Sequence, residues 1–360
     1  MLTARARVTI TGLSVLLVIA LGVTPAGAVR ARRIAGGLND PVAFTFGPND
    51  RIWYVEKDTG EIRVLNRRTG RSQRFFVVSR VNGEGERGLL GIALHPNFPA
   101  TPYVYAYATR NVDGRLRNQI LRIRDAGGRG RHATPIFQSP ASSSPYHNGG
   151  RILFGPDGML YAIVGEGHNP ANAQQLGNDQ GKILRMTPTG GIPDDNPLGR
   201  RRIFAYGIRN SFGFDFDPRS GDLWETENGP QCNDELNRIR PGGNYGWGPS
   251  QSCSGSAPQN TNRDGPDPIL PRRWYTPTIA PTGMAFCRGC RLGRGSDGAF
   301  FFGAVNTGEI RRVDLVADRT DVRRERVVLD HGNGVLSIES DADGTLYFSD
   351  GGAIYRLRRG

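Results

Sequence analysis

The sequence predicts an all-β protein folded as a single six-bladed β-propeller. One unit recurs six times along the 360 residues, and a repeat found first governs every later assignment. Each copy consists of short apolar strands bounded by Gly, Pro, Asn and Asp. No stretch carries the apolar period of an amphipathic helix, and 50 glycines and 24 prolines argue against long helices. One four-stranded antiparallel sheet cannot bury both of its faces. Six such sheets packed radially around an axis can, and they leave only short edges.

The first copy reads Val42-Ala43-Phe44, a Gly47-Pro48-Asn49-Asp50 turn, Ile52-Trp53-Tyr54-Val55, and a closing Glu61-Ile62-Arg63-Val64. The second runs from residues 89–94 through His95-Pro96-Asn97 to Tyr103-Val104-Tyr105 and Ile120-Leu121-Arg122-Ile123. The third is the clearest: Ile152-Leu153-Phe154, Gly155-Pro156-Asp157-Gly158, Met159-Leu160-Tyr161, and residues 181–186. The fourth uses residues 212–216, Asp217-Pro218, Leu223-Trp224 and residues 235–239. The fifth uses residues 283–286, Phe300-Phe301-Phe302 and residues 308–313, and the last Leu336-Ser337-Ile338, Asp343-Gly344, residues 345–348 and 353–357. The inserts 125–146, 188–202 and 248–280 are expected to be loops at the propeller ends, where unrepeated segments tend to carry function.

Arg5 and Arg7, an apolar run over residues 13–23 and the small-x-small site Ala26-Gly27-Ala28 predict a cleaved secretory signal at 1–28. The run is shorter than the roughly 20 residues of a membrane span, so no integral membrane segment is expected after cleavage. A single domain then occupies 29–360. Of the formal +12, two arginines leave with the signal, giving 12 − 2 = +10. No run of five or six like charges marks a nucleic-acid tail, so no nucleic-acid partner is expected. The basic residues are arginine throughout, except for Lys57 and Lys182. The four cysteines of an exported chain predict disulfides, and proximity favours Cys232 with Cys253 and Cys287 with Cys290.

Three short segments carry candidate chemistry. His147, in Tyr146-His147-Asn148-Gly149-Gly150, precedes the third unit and is suited to act as a base near neutral pH. Arg209 and Asn210 open the fourth with a fixed cation and an amide, fit to grip an anionic or carbonyl-rich ligand. Gly229 and Pro230, in Glu227-Asn228-Gly229-Pro230, close a strand with carbonyls suited to a hard cation. Each also reads as ordinary turn chemistry. Together, at equivalent places in successive blades, they predict convergence on one axial cavity. His95 and His168 read more simply as turn residues.

From about Gly37 to Leu357 the sequence resembles the soluble pyrroloquinoline quinone (PQQ)-dependent sugar dehydrogenases of the glucose/sorbosone dehydrogenase family. The resemblance rests on the runs 85–93, 147–158, 192–197, 207–210 and 234–247. It implies a sugar substrate, PQQ and Ca²⁺, with an electron acceptor that the sequence does not specify. It further implies His147 as the general base, Arg209 and Asn210 as quinone contacts, and Gly229 and Pro230 as calcium ligands. Glu86 stands where the family's glucose enzymes carry a glutamine near the cofactor. Three cofactor-binding cations of the family align with Asn306, Gly334 and Leu336, with Arg87 and the Arg311-Arg312 pair as candidate replacements. A non-catalytic propeller that binds a carbohydrate or protein stays open as the alternative. A metal-dependent hydrolase is a third reading, for which no ligand set is evident.

Overall fold

The computed structural model describes residues 29–360; the expected signal at 1–28 lies outside the described residues. Six four-stranded antiparallel sheets account for the 24 described strands, and successive sheets contact one another around a ring, through their first strands at every seam but that of the third and fourth, where the second strand of the third sheet meets the first of the fourth. Blade 1 contains β2 (Ala43–Gly47), β3 (Arg51–Val55), β4 (Glu61–Asn66) and β5 (Ser72–Val77). Blade 2 contains β6 (Leu89–Leu94), β7 (Tyr103–Val112), β8 (Arg115–Asp125) and β9 (Gly130–Pro140). Blade 3 runs from β10 (Ile152–Phe154) and β11 (Leu160–Val164) to β12 (Lys182–Met186) and β13 (Ile203–Tyr206). Blade 4 holds β14 (Ser211–Phe216), β15 (Leu223–Glu227), β16 (Asp234–Ile239) and β17 (Arg273–Tyr275).

Blade 5 holds β18 (Pro281–Phe286), β19 (Phe300–Ala304), β20 (Glu309–Leu315) and β21 (Val322–Asp330). Blade 6 takes β22 (Ser337–Ser340), β23 (Leu346–Ser349) and β24 (Ala353–Arg359) from the end of the chain, and its outer strand, β1 (Val29–Gly36), from the start. Pairing of β1 with β24, from Val29 opposite Arg359 to Gly36 opposite Ala353, closes the ring.

Six apolar clusters fill the seams between neighbouring blades. Trp53 and Val64 of blade 1 meet Leu89 and Val104 of blade 2, and Phe44 and Tyr54 meet Tyr347 and Ile354 across the closing seam. Burying one such side chain contributes about 1.5–3 kcal/mol. Both disulfides have the expected pairing, Cys232–Cys253 and Cys287–Cys290.

Two expectations about the inserts are corrected. Residues 130–140 are not loop but β9, which pairs with β8 although it is mostly exposed. The 248–280 insert contributes β17. The helical content among the described residues is the four-residue α1 (Ala171–Gln174).

Candidate functional site

The chain begins each inner strand at one end of the propeller, and there a cavity of about 360 Å³ opens on the axis. Leu90, Gly149, Phe212, Thr282 and Leu336, from five different blades, share its lining with Lys57, Glu86 and Asn306. A wider cavity of about 800 Å³ occupies the other end. Arg151 borders both and forms the partition: its guanidinium donates to Phe212 O at 3.0 Å, Ser337 Oγ at 3.0 Å and Glu339 at 3.2 Å. His95 lines the far cavity and plays no part at the first.

The expected convergence on one axial cavity is met only in part: of the residues singled out, Glu86 lines the cavity, Arg209, Gly229 and Pro230 line a separate crevice, and the loop of His147 reaches the cavity through Gly149, tied down on all sides. Asn148 is the anchor, accepting from Tyr107 Oη at 2.8 Å through its carbonyl and from Ser142 N at 3.1 Å through its side chain. Gly150 and Gly91 permit close approach between blades: a Cβ on Gly150 would lie 2.4 Å from Leu90 Cβ, and one on Gly91 would lie 2.1 Å from Gly150 O. His147 itself sits in the left-handed region at φ 59°, a conformation that costs a non-glycine residue roughly 1–3 kcal/mol. The surrounding bonds hold it there.

The ring of His147 is buried, with Nδ1 2.6 Å from Glu166 Oε1. The other oxygen of Glu166 accepts from Asn169 N at 2.7 Å. Nδ1 therefore carries the ring proton, and Nε2 is left as an acceptor. His168 lies with its ring 5.0 Å from that of His147. The backbone of Glu166 donates to Arg209 O at 2.8 Å, joining the two motifs. Glu166 was passed over in the sequence: 19 residues separate it from His147, and only the pairing of β10 with β11 within blade 3 brings them together.

Glu86 lines the cavity, and its Oε2 accepts from His147 N at 2.8 Å and Asn210 Nδ2 at 3.0 Å. Asn210 is buried and also accepts from Gly149 N at 3.1 Å, so its side chain braces the histidine loop. Arg209 donates to Asn228 O at 2.8 Å and lies over the Trp247 ring at 5.4 Å. Its Nε is buried without a partner. Gly229 and Pro230 border a small crevice beside Arg209, and Gly229 N donates to Asp234 Oδ1 at 2.8 Å.

The sequence profile of the Glucose / Sorbosone dehydrogenase family matches residues 38–357. The chain belongs to this family. Aldose sugar dehydrogenase YliI of Escherichia coli is 29% identical over 91% of each chain. Quinoprotein glucose dehydrogenase B of Acinetobacter calcoaceticus is 34% identical over 59% of this chain and 51% of its own length. The structure of the PQQ-bound form of aldose sugar dehydrogenase from Streptomyces coelicolor superimposes with a TM-score of 0.79 at 28% identity, covering 93% of this chain and 99% of that one. This member of the glucose/sorbosone dehydrogenase family is accordingly an enzyme of the sugar dehydrogenase type.

Against that background, two of the three positions without the family's cations are at the cavity: Asn306 and Leu336 line it. Gly334 packs against Val305, where a Cβ would come 3.2 Å from Val305 O. The arginines considered as replacements are committed elsewhere. Arg87 is buried and pins the loop before His147 through Ser142 O at 2.9 Å and Ser144 O at 3.0 Å. Arg311 pairs with Glu309 and Glu325, and Arg312 with Asp314.

A cluster of acids that the sequence reading did not single out lies behind Arg209. Glu225, Glu227 and Glu235 are buried around the single amide Nδ2 of Asn237, at 3.2, 3.4 and 3.1 Å. Arg209 N also donates to Glu227. Burial pushes Glu225 up to about 7 and Glu235 up to about 8 and raises Glu227 as well, and repulsion from neighbouring carboxylates adds to the rise of Glu227 and Glu235. Among the described residues, no group of three or more His, Cys, Asp or Glu is arranged to hold a metal ion.

Proposed function

We propose that the protein is an exported PQQ- and Ca²⁺-dependent oxidoreductase that oxidises an aldose or related sugar by base-assisted hydride transfer. The observation that carries this reading is the buried His147–Glu166 pair beside an axial cavity of small-ligand size. A sugar C1 hydroxyl set against Nε2 of His147 loses its proton there as the C1 hydrogen departs with its electron pair. The C1–O bond becomes a carbonyl, so an aldose gives its lactone. Glu166 holds the ring in the required tautomer and stabilises the imidazolium that forms. A base so placed contributes roughly 10²–10⁴ in rate. Bound PQQ would supply the two-electron acceptor for the departing hydride.

The residues present fit that cofactor in size and in donors. PQQ is flat and carries three carboxylates. The cavity offers the amides of Asn228 and Asn306 and the ammonium of Lys57, and Arg209 approaches it through the bond of its Nη1 to Asn228 O. Arg209, Asn210 and Glu86 are read as the polar edge of the cofactor site. The carbonyls of Gly229 and Pro230 would hold Ca²⁺, oxygen donors of the kind this ion takes. Export rests on the predicted signal and agrees with two disulfides, which persist in oxidising compartments. No helix among the described residues is long and apolar enough to cross a membrane.

The test is a calorimetric titration of the purified protein with PQQ, with and without Ca²⁺, followed by a sugar screen with an artificial electron acceptor. Calcium-dependent saturation at micromolar affinity or tighter, and sugar-dependent reduction of the acceptor, are expected. A folded protein that gives no saturation under either condition would sink the cofactor assignment.

A further inference from the structure

We infer that Lys57 is a cofactor-binding residue whose ammonium pairs with a carboxylate of the ligand in the axial cavity, in place of the cations absent at Asn306 and Leu336. The inference rests on the PQQ reading above. Its first support is compositional. Of 46 basic residues only Lys57 and Lys182 are lysines, so lysine persists where arginine has been used everywhere else. The two side chains are not interchangeable, since an ammonium is a compact point charge and a guanidinium a broad planar fork. Both lysines are withdrawn from solvent. Lys182 is wholly buried, its three N–H groups directed at the carbonyls of Asn172, Ala173 and Gln180, 2.7, 3.2 and 2.6 Å away. It has no capacity to spare.

Lys57 lines the axial cavity, and its ammonium is less fully engaged. It donates to Gly83 O at 2.9 Å and Asp58 Oδ1 at 2.6 Å. Asp40 Oδ2, at 4.0 Å, is beyond hydrogen-bond reach. One N–H is therefore uncommitted, and Asp58, which is largely exposed, can be exchanged for a ligand carboxylate with little loss. The other cation among the described lining residues is Arg151, whose guanidinium is taken up by Phe212 O, Ser337 and Glu339.

The lysine is also built in. A Cβ on Gly88 would come 2.5 Å from Lys57 Cγ, so this glycine leaves the groove in which the stem lies. Leu89 N donates to Lys57 O at 2.8 Å, fixing its backbone against blade 2. Lys57 follows β3 of blade 1, the blade next around the ring from blade 6. The positive charge has thus moved around the cavity rather than out of it.

The experiment titrates PQQ, in Ca²⁺, into the full-length protein and into Lys57→Met and Asp58→Asn, by calorimetry at two salt concentrations. It is repeated with the PQQ trimethyl ester. Lys57→Met should bind PQQ about ten- to a hundred-fold more weakly, the loss of one charge-assisted hydrogen bond. Asp58→Asn, which leaves the lysine without its competing carboxylate, should bind it a few-fold more tightly. With the ester both differences should vanish. If the parent protein binds PQQ and both variants match it, Lys57 does not touch the ligand and the inference falls while the cofactor reading stands. If the parent protein binds no PQQ, both fall together. Should Lys57→Met fail to fold, the Asp58→Asn result decides alone: unchanged or weaker binding overturns the inference.

Discussion

The two walls of the axial cavity follow different rules. On the side of blades 2 to 4, polar groups are tied to one another: Glu86 to His147 N and Asn210, His147 to Glu166, and Asn210 to Gly149 N. On the side of blades 5 and 6, Thr282, Val305, Asn306 and Leu336 present no charge at all. On the function proposed above, the first wall holds the proton acceptor at a fixed point. The second has space for a ligand but little with which to hold an anion. Base chemistry and cofactor retention are therefore separable in this protein, and substitutions on the two walls should separate them.

The largest expected effect is on the first wall. His147→Asn removes the base while keeping a residue that tolerates the left-handed backbone at φ 59°. Turnover should fall by roughly 10²–10⁴, with PQQ affinity within a few-fold of the parent. Glu166→Gln should lower turnover less, since the base remains but its tautomer is no longer enforced. Steady-state kinetics and cofactor titration on the same preparations separate the two quantities. A variant that loses PQQ affinity in step with turnover would show that the walls are one unit.

On the second wall the expected change is a gain. Asn306→Lys and Leu336→Arg put cations where the cavity has none, and each should tighten PQQ binding by about ten- to a hundred-fold if it meets a ligand carboxylate. Gly334 is left unaltered in this test, because a Cβ there crowds Val305 O at 3.2 Å. Unchanged affinity in both variants would mean that the ligand's acids do not face blades 5 and 6, and the contrast between the walls would lose its functional meaning.

The same contrast explains what could be read in the sequence. Inner and middle strands are buried, so Ile52-Trp53-Tyr54-Val55 and Phe300-Phe301-Phe302 announce themselves by apolar content. Outer strands do not. In β9 and β21 most side chains are at least partly exposed, and each takes its place by pairing with the strand inside it. That is why residues 130–140 read as loop and the closing strand β1 was not foreseen. At the site, His147, Arg209 and Asn210 were legible as motif residues next to turns. Glu166 and the Glu225, Glu227 and Glu235 cluster were not, because their meaning lies in contacts made across paired strands, β10 with β11 and β15 with β16. Arg87 could be given only as a candidate cation for a related reason: its partners, Ser142 O and Ser144 O, are more than 50 residues away.

The smallest expected effect concerns the partition beneath both walls. Burial pushes Glu339 up to about 8, against the pull of Arg151. Its side chain is 23% exposed where it borders the far cavity, which makes the effect smaller than in a closed site. A carboxyl whose folded value lies above its ordinary 4.5 keeps in the folded state a proton that the unfolded chain releases. Its contribution to stability is complete below about pH 4.5 and is lost as the pH rises through about 8. Unfolding midpoints in urea, measured between pH 5 and 8, should therefore decline with pH more steeply in the parent than in Glu339→Gln. The difference in slope should stay below the one-proton limit of about 1.4 kcal/mol per pH unit. With Glu339 neutral, the charge of Arg151 is left to offset the carboxylates of Asp40 and Glu86 that line the near cavity, which favours an anionic ligand through the field even though its N–H groups are taken. Equal slopes would mean that Glu339 is ionised and cancels Arg151, leaving the anion to be held from the cavity walls alone.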